Sequence, residues 1–494
     1  MSIVRVSGAW CLLLLLAACQ GSDTGTVTGV GPLPTPTASL LRIVPASVET
    51  GAAMEMAMGD SLDMAVAVRV SSATGAPHAG VSVRFEMWDL SARDSVATGV
   101  SVPTRSQVAF TDQDGVAKPS GWRAPAADSA MRTVSIVASL DAAGAQSAVE
   151  YRIRAWRDLR RFGGTSPLVI DALPVDRAAV VAVLPLGTFR ADDALPSADA
   201  ILLLAPGSAH RVSAPVTGLI TELDRADGTI TLRVRDHVRV RLSGVEVRTD
   251  IWVGMAVPAG APLGRVVARA VAAEVGIRVL DATAPSMQWI NPERYGARRM
   301  TRFFARYLAD SLRSEVYGLV RRSAPDLDGR IDYDRDGRLV GTWFDHSVPL
   351  EAAPLGPSPN DRVGLSHPSA VFAGVQASEI DPSASLNGLG LTFAYDAERP
   401  GQTRVAIGRD LAAALGVGGL HTVAWEDADP AEVDVTRGPV RYRLFDAQDE
   451  ARVGRGDRVL LVQLLDATTL RVEAVDARDA ERATFSSRAV TLVR

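Results

Sequence analysis

The densest run of metal-type ligands in this chain is Asp326-Leu-Asp-Gly-Arg-Ile-Asp332-Tyr-Asp334-Arg-Asp336-Gly337. Asp332, Asp334, Asp336 and Gly337 give D-x-D-x-D-G, which sets three carboxylates and a turn glycine as the first half of a calcium loop requires. The position where such a loop takes its bidentate acid is Trp343. The same residues also read as a β-hairpin, Arg330 to Asp334 against Arg338 to Phe344 around a D-G turn. Calcium is the one cofactor this segment suggests. The histidines offer less. His210 and His237 stand apart from any H-E-x-x-H, and there is no G-x-S-x-G. Asp345-His346 are neighbours, but a triad is made in space rather than in sequence. His346, His367 and His421 read as loop or strand-edge residues. Glu426, Asp427, Asp429, Glu432 and Asp434 gather around Pro430 as a solvated turn does. Arg455-Gly456-Asp457 fits a turn ahead of a strand.

What the composition excludes is informative. Lys118 is the only lysine among 52 strong bases, so lysine nucleophiles, Schiff bases and lipoyl-lysines are absent elsewhere. A net charge of −5 over 494 residues gives no basic footprint for nucleic acid. The two cysteines, Cys11 and Cys19, leave no disulfide framework, so stability must come from buried cores.

The amino terminus carries its own chemistry. Ala9 to Ala18 is an apolar run too short to span a bilayer, which takes about 20 residues, and it suits the core of a secretory signal peptide. It ends in Leu16-Ala17-Ala18-Cys19, which resembles the bacterial lipobox. The resemblance implies cleavage before Cys19, a diacylglycerol on its thiol, and a membrane-anchored protein. Gln20 in place of an aspartate implies the outer rather than the inner membrane. Gly21 to Ser39 is a Gly/Thr/Pro tether with nothing to bury.

The elements that must position any site are mostly strands. From Leu41 to Trp156 apolar residues alternate at period two, as in Met64-Val66-Val68-Val70 and Val81-Val83-Phe85-Met87. The phrases G-A-P-H-A-G-V-S-V-R-F (Gly75 to Phe85), T-D-Q-D-G-V-A (Thr111 to Ala117) and T-V-S-I-V-A-S (Thr133 to Ser139) together resemble invasin/intimin-type bacterial Ig-like domains. That implies a β-sandwich serving as spacer or adhesive module. Val212 to Leu223, Gly228 to Val234 and Trp252 to Val266 read as strand, P-x-x-G turn and strand, then G-x-x-V-x-x-G-x-x-L-G. They resemble the barrel of lysostaphin-type (M23) zinc peptidases. That family supplies a His and an Asp ahead of the A-P-x-x-G strand and a late-strand His-x-His. Here Leu186 to Leu204 holds Asp192, Asp193 and Asp199 but no histidine, and the late strand Ala273 to Asp281 reads A-E-V-G-I-R-V-L-D. Zinc is therefore not expected, because it needs three such ligands and an open position.

Met300, Phe303, Phe304, Tyr307, Leu308, Leu312 and Val316 recur at i, i+3, i+4, which predicts an amphipathic helix over Met300 to Arg322, packed on the neighbouring barrel. Lying on a membrane surface is the alternative for such a basic helix. Strand-like runs continue to the end, interrupted by a short helix at Arg409 to Leu415. The expected fold is mainly β and multidomain. It comprises a signal peptide (1–18), tether (19–40), Ig-like β-sandwich (41–156), degenerate M23-like β-barrel (157–290), amphipathic helix and connector (291–330) and β-rich C-terminal domain (331–494). The function this predicts is non-catalytic binding or scaffolding in the cell envelope, with peptidoglycan, a glycan or another envelope protein as partner. Two alternatives stay open: a cell-wall zinc peptidase with relocated ligands, and a hydrolase site in the C-terminal domain without a linear motif.

Overall fold

Period-two alternation becomes strands in the computed structural model of the protein. It describes residues 41–46, 53–72, 74–90, 103–125, 131–140, 148–162, 167–190, 193–206, 209–266, 273–284, 287–346, 388–425, 428–447 and 456–494. Cys19, Asp192, His367, Glu426, Asp427 and Arg455 lie outside them. Among the described residues no helix is long and apolar enough to cross a membrane.

The first eight strands are β1 (Arg42–Pro45), β2 (Ala53–Ala57), β3 (Val68–Ser71), β4 (Ser82–Asp89), β5 (Arg105–Phe110), β6 (Val116–Ala117), β7 (Met131–Leu140) and β8 (Ala148–Trp156). They form two sheets, ordered β1-β3-β6 and β2-β8-β7-β4-β5. Between them lies a core that includes Val68, Val83, Phe85, Trp122, Ile136 and Ile153. Alternate residues of β4 are buried, which is how one face of a strand enters a core while the other stays wet.

The central strands are β9 (Val180–Leu184), β10 (Ala200–Leu204), β11 (Arg211–Ser213), β12 (Gly218–Asp224), β13 (Thr229–Arg233), β14 (Val238–Ser243), β15 (Val245–Val247), β16 (Ala256–Val257), β17 (Pro262–Val266), β18 (Ala273–Asp281) and β19 (Thr301–Arg302). Here the sheet is open: the order is β16-β12-β13-β14-β18-β10-β9 with β19 on β18, and β11-β17-β15 makes a separate small sheet. Closure occurs further on. Strands β20 (Gly341–Asp345), β21 (Gly390–Tyr395), β22 (Thr403–Ile407), β23 (Gly419–Trp425), β24 (Val440–Asp446), β25 (Arg458–Leu464), β26 (Thr469–Asp476) and β27 (Val490–Val493) form a closed eight-stranded barrel. Its last strand pairs with its first through Phe344 and Val493. The fold is thus mainly β, and its one closed barrel among the described residues is C-terminal.

Two expectations are corrected. Met300 to Arg322 is not one helix. Thr301 and Arg302 pair with Leu280 and Val279, a 3-10 turn follows at Phe304–Tyr307, and only α1 (Asp310–Tyr317) is helical. The cause is burial on all sides. Phe303, Phe304, Ala305 and Leu308 are each at most 1 % exposed, so consecutive residues face core rather than one stripe facing it. The backbone is satisfied across the chain instead, with the Ile170 N–H donating to the Tyr307 carbonyl at 2.7 Å. Those apolar side chains are also spent in the protein core, which removes the membrane-surface alternative. The hairpin over Arg330 to Phe344 does not form either: Gly341–Asp345 pairs with β21 and β27. The short helix does form, as α2 (Arg409–Leu415), and Gly416 ends it with a φ of 68°.

Candidate functional site

The central sheet has two chemically different faces. Val275, Ile277 and Val279 of β18, Val240 and Leu242 of β14, and Ile230 and Leu232 of β13 point into the core. The residues between them are Glu274, Gly276 and Arg278, then Arg239, Arg241 and Ser243, then Thr229, Thr231 and Arg233. The register places Thr231 opposite Arg241, and Arg241 opposite Arg278. Polar groups therefore line up across the strands on one face.

Asp199 stands just before β10, whose Ala200 pairs with Ile277. This brings its carboxylate to the end of that polar row. One oxygen accepts from Arg278 Nε at 2.6 Å and the other from Ser243 Oγ at 2.9 Å. Asp199 is 8 % exposed and Arg278 4 %. Burial alone pushes such a carboxyl up, but Arg278, Arg241 and the two hydrogen bonds outweigh it and hold Asp199 at about 2. Gly276 lies against this cluster. A Cβ there would come within 2.1 Å of Ser243 Oγ and 3.0 Å of Asp199 Oδ2.

Above these residues is a cleft of ≈ 500 Å³, lined by five arginines and five acids. Its walls are tied internally. Arg190 pairs with Glu274 at 3.3 Å, and Arg265 forks onto Glu246 at 2.6 and 2.7 Å. Arg298 donates to the Pro196 carbonyl, and Arg225 to the carbonyls of Val247, Arg248, Thr249 and Ile251. Glu222, half-buried three strands from Arg278, accepts from Thr231 Oγ1 at 2.7 Å, and burial pushes its carboxyl up to about 7. It does not line the cleft.

The histidines fall elsewhere. His210 Nε2 meets the Ala205 carbonyl at 2.8 Å. His237 is buried near Asp281, whose carboxylate accepts from Tyr307 Oη at 2.8 Å. His346 stays beside Asp345 at 3.5 Å, and His421 Nε2 meets the Gly418 carbonyl at 3.0 Å. Asp429 accepts from Tyr395 Oη and the Ala431 amide, while Asp434 pairs with Arg338, so these two acids near Pro430 serve separate partners.

The three calcium-loop residues are not brought to a shared centre. Asp332 accepts from the Gln288 amide at 2.8 Å and Arg330 Nε at 2.9 Å. Asp334 is buried and accepts from the Thr342 amide at 2.9 Å, while Asp336 is exposed in the turn that follows. The oxygens of Asp332 and Asp334 serve as acceptors for main chain and arginine. No group of three or more His, Cys, Asp or Glu among the described residues is placed to hold a metal ion.

Of the sequence candidates, Asp199 and the late strand do meet in the cleft. Arg241, Ser243, Arg278 and the role of Gly276 were missed. The signal for them is charged or small residues at every second position of strands that are otherwise apolar.

No protein-family model matches the chain, and no curated protein matches it. Among solved structures it is similar to a putative M23 peptidase from Pseudomonas aeruginosa, at 15% identity over 41% of this chain and 83% of that one, with a TM-score of 0.18. It is similar to Csd3 of Helicobacter pylori at 11% identity over 46% and 68%, with a TM-score of 0.20. A zinc-containing peptidase from Vibrio cholerae aligns at 10% identity over 44% and 75%, also at 0.20. These neighbours are M23-type peptidase folds, and at such identities and scores no residue role passes from them to this chain.

Proposed function

We propose that this chain is a cell-envelope lipoprotein, anchored through lipid on Cys19, whose cleft binds a wall or envelope component without cutting it. The observation that carries the reading is the closed Asp199–Arg278–Ser243 cluster. The acid best placed to serve as a metal ligand already has both oxygens engaged. Gly276, beside it on the late strand, has no room for a side chain. The donor set therefore does not fit a zinc centre, which needs three ligands and an open position. A carboxyl held at about 2 is also a poor proton shuttle at neutral pH, because an effective acid or base titrates near its working pH.

The test is incubation of the purified full-length protein with peptidoglycan sacculi, scoring pelleting and released muropeptides with and without chelator. Pelleting without release is expected; release abolished by chelator would overturn the reading. The anchor is tested separately. Cys19→Ser should move the protein from the membrane fraction to the soluble one, and an unchanged membrane fraction would remove Cys19 from the account.

A further inference from the structure

Leu219 and Ile220 are neighbours on β12 but face opposite ways, as adjacent strand residues do. Ile220 enters the central core. Leu219 packs instead with Ala57 of β2, Trp156 of β8, and Leu159 and Phe162 of the 3-10 turn that follows β8. Leu219 and Trp156 are fully buried there. The N-terminal sheets are thus seated on the polar face of the central sheet, the face that also floors the cleft. Cross-strand register divides this face into rows. Under the seat, Leu219 lies opposite Arg233, Arg233 opposite Arg239, and Arg239 opposite Leu280. Arg233 and Arg239 are at most 1 % exposed, so this row is closed. In the next row Glu222 lies opposite Thr231, Thr231 opposite Arg241, and Arg241 opposite Arg278. Beyond it Ser243 lies opposite Gly276, and both line the cleft together with Arg241 and Arg278.

Glu222 therefore stands between the seat and the cleft. A register shift between Ile220 and Glu222 turns its side chain to this face, which is how a bulge re-aims a residue. Its carboxylate is held by Thr231 Oγ1. Charges act on it from both sides: Arg241 and Arg239 of β14, and the buried Arg154 of β8 in the N-terminal sheets. Burial outweighs all of these and holds the carboxyl at about 7.

We propose that the N-terminal sheets are a cover for the polar face of the central sheet, clasped at Glu222 and released as the surroundings turn from acid to alkaline, so that the closed row joins the cleft floor. Ionised Glu222 is costly while the cover excludes water from it and cheap once the cover lifts. An acid raised by a contact favours that contact while protonated. The clasp is therefore firmest below the ordinary 4.5 and weakens as pH rises through about 7. The device is independent of which ligand the cleft takes.

Hydrogen exchange of the peptide Trp156–Phe162, followed by mass spectrometry in the full-length protein and in Glu222→Gln, reads the release. Dividing the wild-type rate by the variant rate at each pH removes the intrinsic pH dependence of exchange. Glutamine keeps the shape without ionising. The ratio should rise about thirtyfold between about pH 5.5 and 8.5, as a carboxyl moved from 4.5 to about 7 requires. Leu219→Ala should speed exchange by the same factor at every pH, because it loosens the seat without touching the acid. A ratio that stays flat with pH overturns the proposal. So does a rise shared equally by peptides of the C-terminal barrel, which would be unfolding of the whole chain rather than release of a cover.

Discussion

Replacing Asp199 by alanine should cost the folded protein about 3–5 kcal/mol, the usual loss when one partner of a buried ion pair is removed, seen as a lower urea midpoint. Arg278 is nearly inaccessible and faces Asp199 at 2.6 Å, so the substitution takes a carboxylate from a buried guanidinium and removes the acceptor of Ser243 Oγ. The loss should be mostly avoided when both charges leave together. Asp199→Leu with Arg278→Met replaces the pair by apolar groups, a change that is often neutral or stabilising. The pH dependence has a definite sign. Asp199 is depressed from its ordinary 3.8 to about 2, so its contribution is full above the ordinary value and is lost as pH falls through about 2. The wild type should lose about 2 kcal/mol across that acid window, and Asp199→Asn should show little of this slope. An unaltered midpoint in Asp199→Ala would mean that the cluster closing the cleft does not form.

That cluster also marks where the sequence stops being legible. Asp199 stands out as an acid ahead of the A-P-x-x-G strand, and the late strand is visibly without histidine. What no local pattern shows is that Ala200 pairs with Ile277, which alone brings Asp199 to Gly276 and Arg278. Local signals succeeded where the determinant was local. The alternation in β3 and β4 produces their buried faces, and α2 ends at Gly416 because a glycine accepts its left-handed conformation. The same helical spacing failed at Met300 to Arg322. An i, i+3, i+4 pattern containing adjacent Phe303 and Phe304 fits a stripe, yet it equally fits an extended segment buried on both sides, and the pairing of Thr301 with Leu280 decides between them. Barrel closure was hidden for a related reason: Phe344 and Val493 meet only after every intervening strand has been laid down.

Arg494→Ala should produce the second large loss, about 4 kcal/mol, because removing a charged donor leaves buried acceptors unmatched at 1–3 kcal/mol each and forfeits a desolvated cation–π contact of about 2 kcal/mol. The Arg494 side chain donates to the carbonyls of Arg335 and Arg338 at 2.7 Å and of Val340 at 3.2 Å. Its guanidinium carbon also lies 3.8 Å from the centre of the Trp343 ring. Trp343 is fully buried in the barrel core, so Arg494 fastens the turn around Asp334–Asp336 to the strand that begins the barrel. Arg494→Lys should recover only part of the loss, since an ammonium has fewer donors and no plane to lay on the indole. Asp334 adds a pH signature. Burial pushes its carboxyl up from the usual range and Arg494 opposes this. Without Arg494 the folded state holds the Asp334 proton more tightly still. A carboxyl raised by folding costs stability as it ionises, so the deficit of Arg494→Ala should widen as pH rises from the ordinary carboxylate range. Urea unfolding of wild type and variant, followed by tryptophan fluorescence at acid and neutral pH, measures both effects. A midpoint within about 1 kcal/mol of wild type, which is the usual size of a surface change or a single weak contact, would show that the turn holds to the barrel without this arginine.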